Sequence, residues 1–238
     1  MNITLSDECK DGALSKMGEG LGNLYLQLVS ELIALDMKWR SYCLLFRVNE
    51  ERVALLNEWL SGEIASFIQE SMLDSVVLSI SIISDNSKSA FSIKKFPTKM
   101  ESARDIIPIE LLKAYEDAME TASSAVKQIR DKHIAHHCWA IYASSDVSYV
   151  YPTYEKVDEV CKKYHFFANA VAEYWNVSPP NFCTKSPENT VERFFCRLSG
   201  ENFNFRTLMS KKHEWEYLAD LFGSFAEPTG LFLGVEEK

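Results

Sequence analysis

From Leu21 onward, apolar residues return every three or four positions: Leu21, Leu24, Leu28, Leu32, Leu35, Trp39 and Tyr42. An α-helix turns once in 3.6 residues, so these positions stack on one side of a long amphipathic helix. The pattern predicts that this helix ends near Phe46. A stripe this long needs other helices to cover it, and the rest of the chain supplies them.

Asn49 is placed to cap a second helix, with Glu50 and Glu51 in its first turn and Val53, Leu56 and Leu60 behind them. Gly62 interrupts, and a further helical run passes through Ile64, Phe67, Ile68, Met72, Val76 and Ile80 to Ile83. Within it, Ser75–Ile83 also alternates like a strand, but the flanking periodicity favours helix. Asp85-Asn86-Ser87 is a stop. Residues Phe91–Pro97 are expected to form only a connector. Pro108 suits the first turn of the next helix, whose stripe of Leu111, Leu112, Tyr115, Met119, Ala122, Ala125, Val126 and Ile129 runs down to Arg130. A loop around Ser144–Pro152 precedes a last long helix, roughly 153–175, with Val157, Val160, Cys161, Tyr164, Phe167, Ala168, Val171 and Tyr174 on one face. Pro179, Pro180 and Pro187 mark a linker. The expected fold is all-α: an antiparallel bundle of about four long helices with a C-terminal helical appendage. Residues 1–20 read as a flexible leader, 21–175 as the bundle, 176–189 as the linker and 190–238 as the appendage.

Composition narrows the function. The chain has 238 residues with 25 Lys and Arg against 34 Asp and Glu, a net charge of −9. That excludes a general coater of nucleic acid, which needs a broad basic face, but not an enzyme with one local phosphate grip. The six cysteines form no CxxC pair and read as reduced, packed thiols. Met1–Gly12 is polar and lacks the apolar core of a signal peptide, and Ser75–Ile83 is too short and serine-rich for a membrane span. A cytoplasmic protein with no membrane partner is the expectation.

One stretch concentrates chemistry: Arg130-Asp131-Lys132-His133-Ile134-Ala135-His136-His137, which holds three of the five histidines. Arg130 can clamp a phosphate with two parallel hydrogen bonds. A histidine titrates near neutrality and can move protons. Together they suit attack of an RNA 2′-hydroxyl on its neighbouring phosphate, the guanidinium offsetting charge on the pentavalent oxygens. On an unbroken helix at about 100° per residue, His133 lies about 60°, His136 about 120° and His137 about 20° around from Arg130. His136 therefore joins Arg130 only where the helix is irregular or where two subunits pool their groups.

Arg130, five intervening residues and His136 resemble the R-x(4–6)-H motif of the HEPN superfamily (higher eukaryotes and prokaryotes nucleotide-binding). The string RDKHIAH is similar to that of its abortive-infection, phage-defence branch. Trp39 and Phe46 on a first helix, Leu55-Leu56-Asn57 and a helix closing at Asp85 match its layout, over roughly residues 20–175. The resemblance implies a helical homodimer whose motifs line one cleft. It implies a metal-independent endoribonuclease, without cofactor, that acts as a toxin or antiviral effector on an RNA substrate and is held by an antitoxin or other regulatory protein. On that carry-over Arg130 and His136 are catalytic, and Asp131 orients them or the substrate. His133, His137 and Lys132 support them.

Two departures stand out. Asp131, where Asn is commoner, sets a negative charge where phosphate must bind. Cys138 occupies the place where some branches carry a modifiable tyrosine. The alternative reading is a non-catalytic module that binds a nucleotide or protein. Metal binding by His133 and His137, four residues apart, is a third reading, with Asp131 and Cys138 as further donors. Lys94 and Lys95, with Lys99 and Arg104, either help to hold RNA or form a solvated loop. His165, His213 and the five tryptophans are expected to pack on helices or at interfaces.

Overall fold

The computed structural model describes residues 5–47, 50–85, 91–103, 107–129 and 151–179, together with residues 190, 191, 194 and 195. Among the described residues the fold is all-helical, with six α-helices, one 3-10 turn and no strand. The helices are α1 (Asp7–Phe46), α2 (Glu50–Leu60), α3 (Gly62–Ile83), α4 (Phe96–Ala103), α5 (Ile109–Ile129) and α6 (Tyr154–Tyr174). The four long ones are α1, α3, α5 and α6; α2 and α4 are short additions.

Residues 7–20, expected as part of a flexible leader, are helical. Ser6 caps α1 by accepting from the Cys9 amide at 3.3 Å. At Gly18 the backbone takes φ 75° and ψ 165°, a conformation open essentially to glycine alone. The chain reverses there. A Cβ on Gly22 would stand 3.0 Å from the Ala13 carbonyl oxygen, whereas residues nine apart on a continuous helix are separated by about 13.5 Å along the axis. So α1 is a helical hairpin, with residues 7–17 lying back along the longer arm. Ala13 and Met17 are buried in the core, and the Lys16 ammonium donates to the Asn176 carbonyl. Apolar periodicity is weak here because a short arm needs only these few contacts.

The longer arm of α1 buries its whole predicted stripe, from Leu21 to Tyr42. It packs against α3, α4, α6 and α2. In α3 the serine-rich segment stays helical for a local reason. Ser79, Ser81 and Ser84 each donate to the carbonyl four residues back, at 2.9, 2.8 and 2.9 Å, so the buried hydroxyls need no outside partner. Among the described residues, α3 is the one helix long and apolar enough, at a mean hydropathy of 1.3, to cross a bilayer; here Leu73, Val76, Val77, Ile80 and Ile83 are buried in the bundle.

The connector after Asp85 holds more structure than expected. Ile93–Lys95 form a 3-10 turn capped by Ser92, and α4 follows. Phe96 and Met100 are buried, and Phe96 meets Phe167 edge-on at 5.1 Å. Two buried side chains one turn apart suffice to fix so short a helix. Pro108 stands just before α5 and its carbonyl accepts from the Leu111 and Leu112 amides. α5 buries Ala114, Ala118 and Ala122, small residues that let it lie close to α6. Thr153 caps α6. At the other end the Val177 amide reaches the Ala172 carbonyl at 2.8 Å and the Asn176 amide reaches Glu173 at 3.0 Å, with Asn176 left-handed at φ 53°. That arrangement is a Schellman stop, and it sets the helix end that the sequence placed near 175.

Candidate functional site

The motif residues Arg130, Asp131, Lys132, His133, His136 and His137 lie outside the described residues, as do Cys138, Arg104 and His213. What the structure shows is the platform they are joined to. Asp117 on α5 pairs with Lys163 on α6 at 3.2 Å, and Tyr115 meets Phe167 at 5.9 Å. Rising numbers on α5 meet falling numbers on α6, so the two helices are antiparallel. The segment 130–150 therefore leaves and rejoins the bundle at one end, between Ile129 and Tyr151. The C-terminus of α1 and the first turns of α3 stand at the same end, since Arg47 contacts Asp158, Gln69 contacts Tyr42 and Asp74 contacts Tyr151.

A polar clasp holds this end together. Asp158 is a carboxylate on the apolar face of α6, and burial of a charge is tolerated only with partners. It has two across the helix interface: the Trp39 indole N–H donates at 2.7 Å and the Arg47 guanidinium at 2.9 Å. The guanidinium also lies 5.0 Å from the centre of the Tyr154 ring, a cation–π contact. Tyr154 packs on Trp39 and Tyr42, which themselves stack at 5.3 Å. The Tyr42 and Tyr154 hydroxyls lie 3.3 Å apart, and Gln69 donates to Tyr42 at 3.1 Å. Tyr151, the first described residue after the motif segment, donates to Asp74 Oδ1 at 2.7 Å. Burial and the neighbouring carboxylates hold the Tyr151 phenol above its ordinary range, so it remains a donor.

A second buried pair lies deeper between α1 and α6. His165 Nε2 stands 2.8 Å from Asp36 Oδ2. Burial pushes the Asp36 carboxyl upward, against the pull of His165 and Arg40. The expected packing role of His165 thus includes a buried carboxyl partner. The buried thiols carry no thiolate character: Cys43 is pushed up to about 12 by burial, and Cys161 well above its ordinary value. Among the described residues no group of His, Cys, Asp and Glu is arranged to hold a metal ion.

Lys94 and Lys95 sit on the half-buried 3-10 turn beside Phe96. Phe96 packs on Phe167, about 20 Å along α6 from Tyr154. They belong to the half of the bundle remote from the end where 130–150 is joined. Trp39 and Trp175 are core residues, whereas Trp59 is 58% exposed on α2. The clasp residues Arg47, Asp158, Tyr151 and Tyr154 escape a reading by motif. The one available signal was Asp158 itself, a charge between Val157 and Cys161 in an apolar stripe.

Among the described residues the fold is an all-α bundle, and α5 and α6 flank in sequence the segment that carries Arg130 and His136. The family model described as AbiU2, of HEPN type, matches residues 18–194, and the chain belongs to this abortive-infection family. The match begins at the hinge glycine of α1, so the arm 7–17 precedes it. Neither curated proteins nor solved structures give a match.

Proposed function

We propose that this protein is a metal-independent endoribonuclease of the HEPN type, acting in the cytoplasm as a toxin or antiviral effector. One observation supports the reading most: the string Arg130–His136 lies in the segment joining α5 to α6, within the matched part of an abortive-infection HEPN family. In the proposed reaction a 2′-hydroxyl oxygen of RNA attacks the adjacent phosphorus and the 5′-oxygen leaves. His136 takes the 2′-proton or returns one to the leaving oxygen. Arg130 neutralises charge on the phosphoryl oxygens. Asp131 orients the pair, with Lys132, His133 and His137 beside it. The products are a 2′,3′-cyclic phosphate and a 5′-hydroxyl.

The angular separation of Arg130 and His136 on a regular helix favours a composite site from two copies of the chain. The clasp of Asp158, Trp39 and Arg47 would then fix the platform on which each copy presents its motif. A second reading keeps the fold without the reaction: Asp131 repels phosphate and the module only binds a nucleotide or a regulatory protein. Purified protein incubated with a mixed tRNA and mRNA pool in EDTA separates them. The ribonuclease reading expects cleavage with cyclic-phosphate ends, lost in His136→Ala and Arg130→Ala. Intact RNA with wild-type protein, alongside binding of RNA or nucleotide, supports the second reading.

A further inference from the structure

The corner between α2 and α3 is apolar and acidic, and no described residue covers it. Trp59, Ile64 and Phe67 are 58%, 52% and 69% exposed around the turn at Ser61. Isolated exposed apolar residues are ordinary, but three large ones within nine positions of one turn make the corner a candidate docking surface. The surrounding charge has one sign. Residues 50–83 hold six carboxylates, Glu58, Glu63 and Glu70 among them, and their single basic residue, Arg52, is buried. A second copy presenting the same face would set carboxylates against carboxylates, and an RNA phosphate would be repelled. The occupant has to be basic with apolar anchors.

The chain itself contains such a segment. Residues 203–215 carry Phe203, Phe205, Leu208 and Trp215 with Arg206, Lys211 and Lys212, against one carboxylate, Glu214. The described part of the chain stops at the right place to deliver it. Phe195 is buried, and the Arg52 guanidinium lies 5.0 Å from its ring centre, so the chain is on α2 at that point. From Arg52 to Trp59 is about 10 Å along the helix. The stretch from Phe195 to Phe203 can span up to about 27 Å when extended. Reach is therefore ample.

We propose that residues 203–215 dock on the α2–α3 corner of their own chain, the aromatic side chains over Trp59, Ile64 and Phe67 and the basic ones against Glu58, Glu63 and Glu70. The docked segment lies at the end of the bundle that also holds Tyr151 and the root of the motif segment. This is independent of the ribonuclease reading. The test places the photocrosslinker benzoylphenylalanine at Phe67 in the full-length protein. An equal mixture of ¹⁵N-labelled and unlabelled chains is irradiated and its crosslinked peptides are mapped. The expected product joins the Phe67 peptide to residues 203–215, with both halves carrying the same isotope. Lys211→Glu with Lys212→Glu lowers its yield by at least about fivefold, and adding Glu63→Lys with Glu70→Lys restores it. Unchanged thermal melts show that the variants remain folded. Products of mixed isotope mean that a second copy covers the corner. Those, no crosslink at all, or crosslinks confined to other parts of the chain overturn the proposal.

Discussion

Asp158 shows how much one side chain can commit a helix interface. Its carboxylate is buried on the apolar face of α6, and among the described residues Trp39 and Arg47 compensate it. Removing one partner of a buried charge leaves the other without compensation. Arg47→Met is therefore expected to lower stability by about 3 kcal/mol in urea unfolding, and Trp39→Phe by about 1–2 kcal/mol through the lost hydrogen bond. Losses of a few tenths for both would show that the clasp contributes nothing. Residues of this kind were poorly legible in the sequence. A charge in an apolar stripe announces that a partner exists, but Trp39 and Arg47 are more than a hundred positions away, and only the packing of α1 on α6 names them. Asp36 and His165 illustrate the same gap, since each follows an apolar stripe residue on its own helix and nothing local pairs them.

At the scale of elements, stripe-bearing helices were readable and turns of the chain between them less so. The faces of α1, α5 and α6 follow directly from periodicity, because a core-facing helix must repeat every 3.6 residues. Ile64 and Phe67 lie on the exposed side of α3, about 100° and 160° around the helix from Ala65, whereas its buried face runs through Ala65, Leu73, Val76 and Ile80. The hairpin at Gly18 was hidden: a glycine can break or continue a helix, and its positive φ is a tertiary outcome. Gly18→Ala forces a Cβ into that conformation and is expected to cost about 1–3 kcal/mol in chemical denaturation. Gly22→Leu pushes against the Ala13 backbone and should release the arm, read as faster amide exchange over residues 7–17 with the long arm still protected. Equal exchange in wild type and variant would mean the two arms are not packed together.

For the whole molecule, the buried neutral groups set a limit on the alkaline side. Cys43, Cys161 and the Tyr164 phenol are all pushed upward by burial. A group whose folded pKa is raised stabilises fully below its unfolded value, and that contribution is lost as pH rises through the folded one. The unfolded thiol ionises near pH 8.5 and the phenol near 10, so melting temperature should fall progressively above about pH 9. A flat profile up to about pH 11 would contradict this burial.

The fold class was legible as a whole because an all-helical bundle needs only stripes and breaks. The site was legible only as a motif. Arg130 and His136 stand out in the sequence by residue type and spacing and lie outside the described residues, while the clasp beside Tyr151 is set by the packing of α6 on α1 and needed the structure. The measurement that bears most directly on the central claim is RNA cleavage by the purified protein in EDTA, with His136→Ala and Arg130→Ala in parallel. The account predicts cyclic-phosphate products from wild type and a loss of at least about a hundredfold in either variant, the scale of a missing general acid–base group. Equal cleavage by wild type and both variants, or cleavage abolished by EDTA alone, would contradict it.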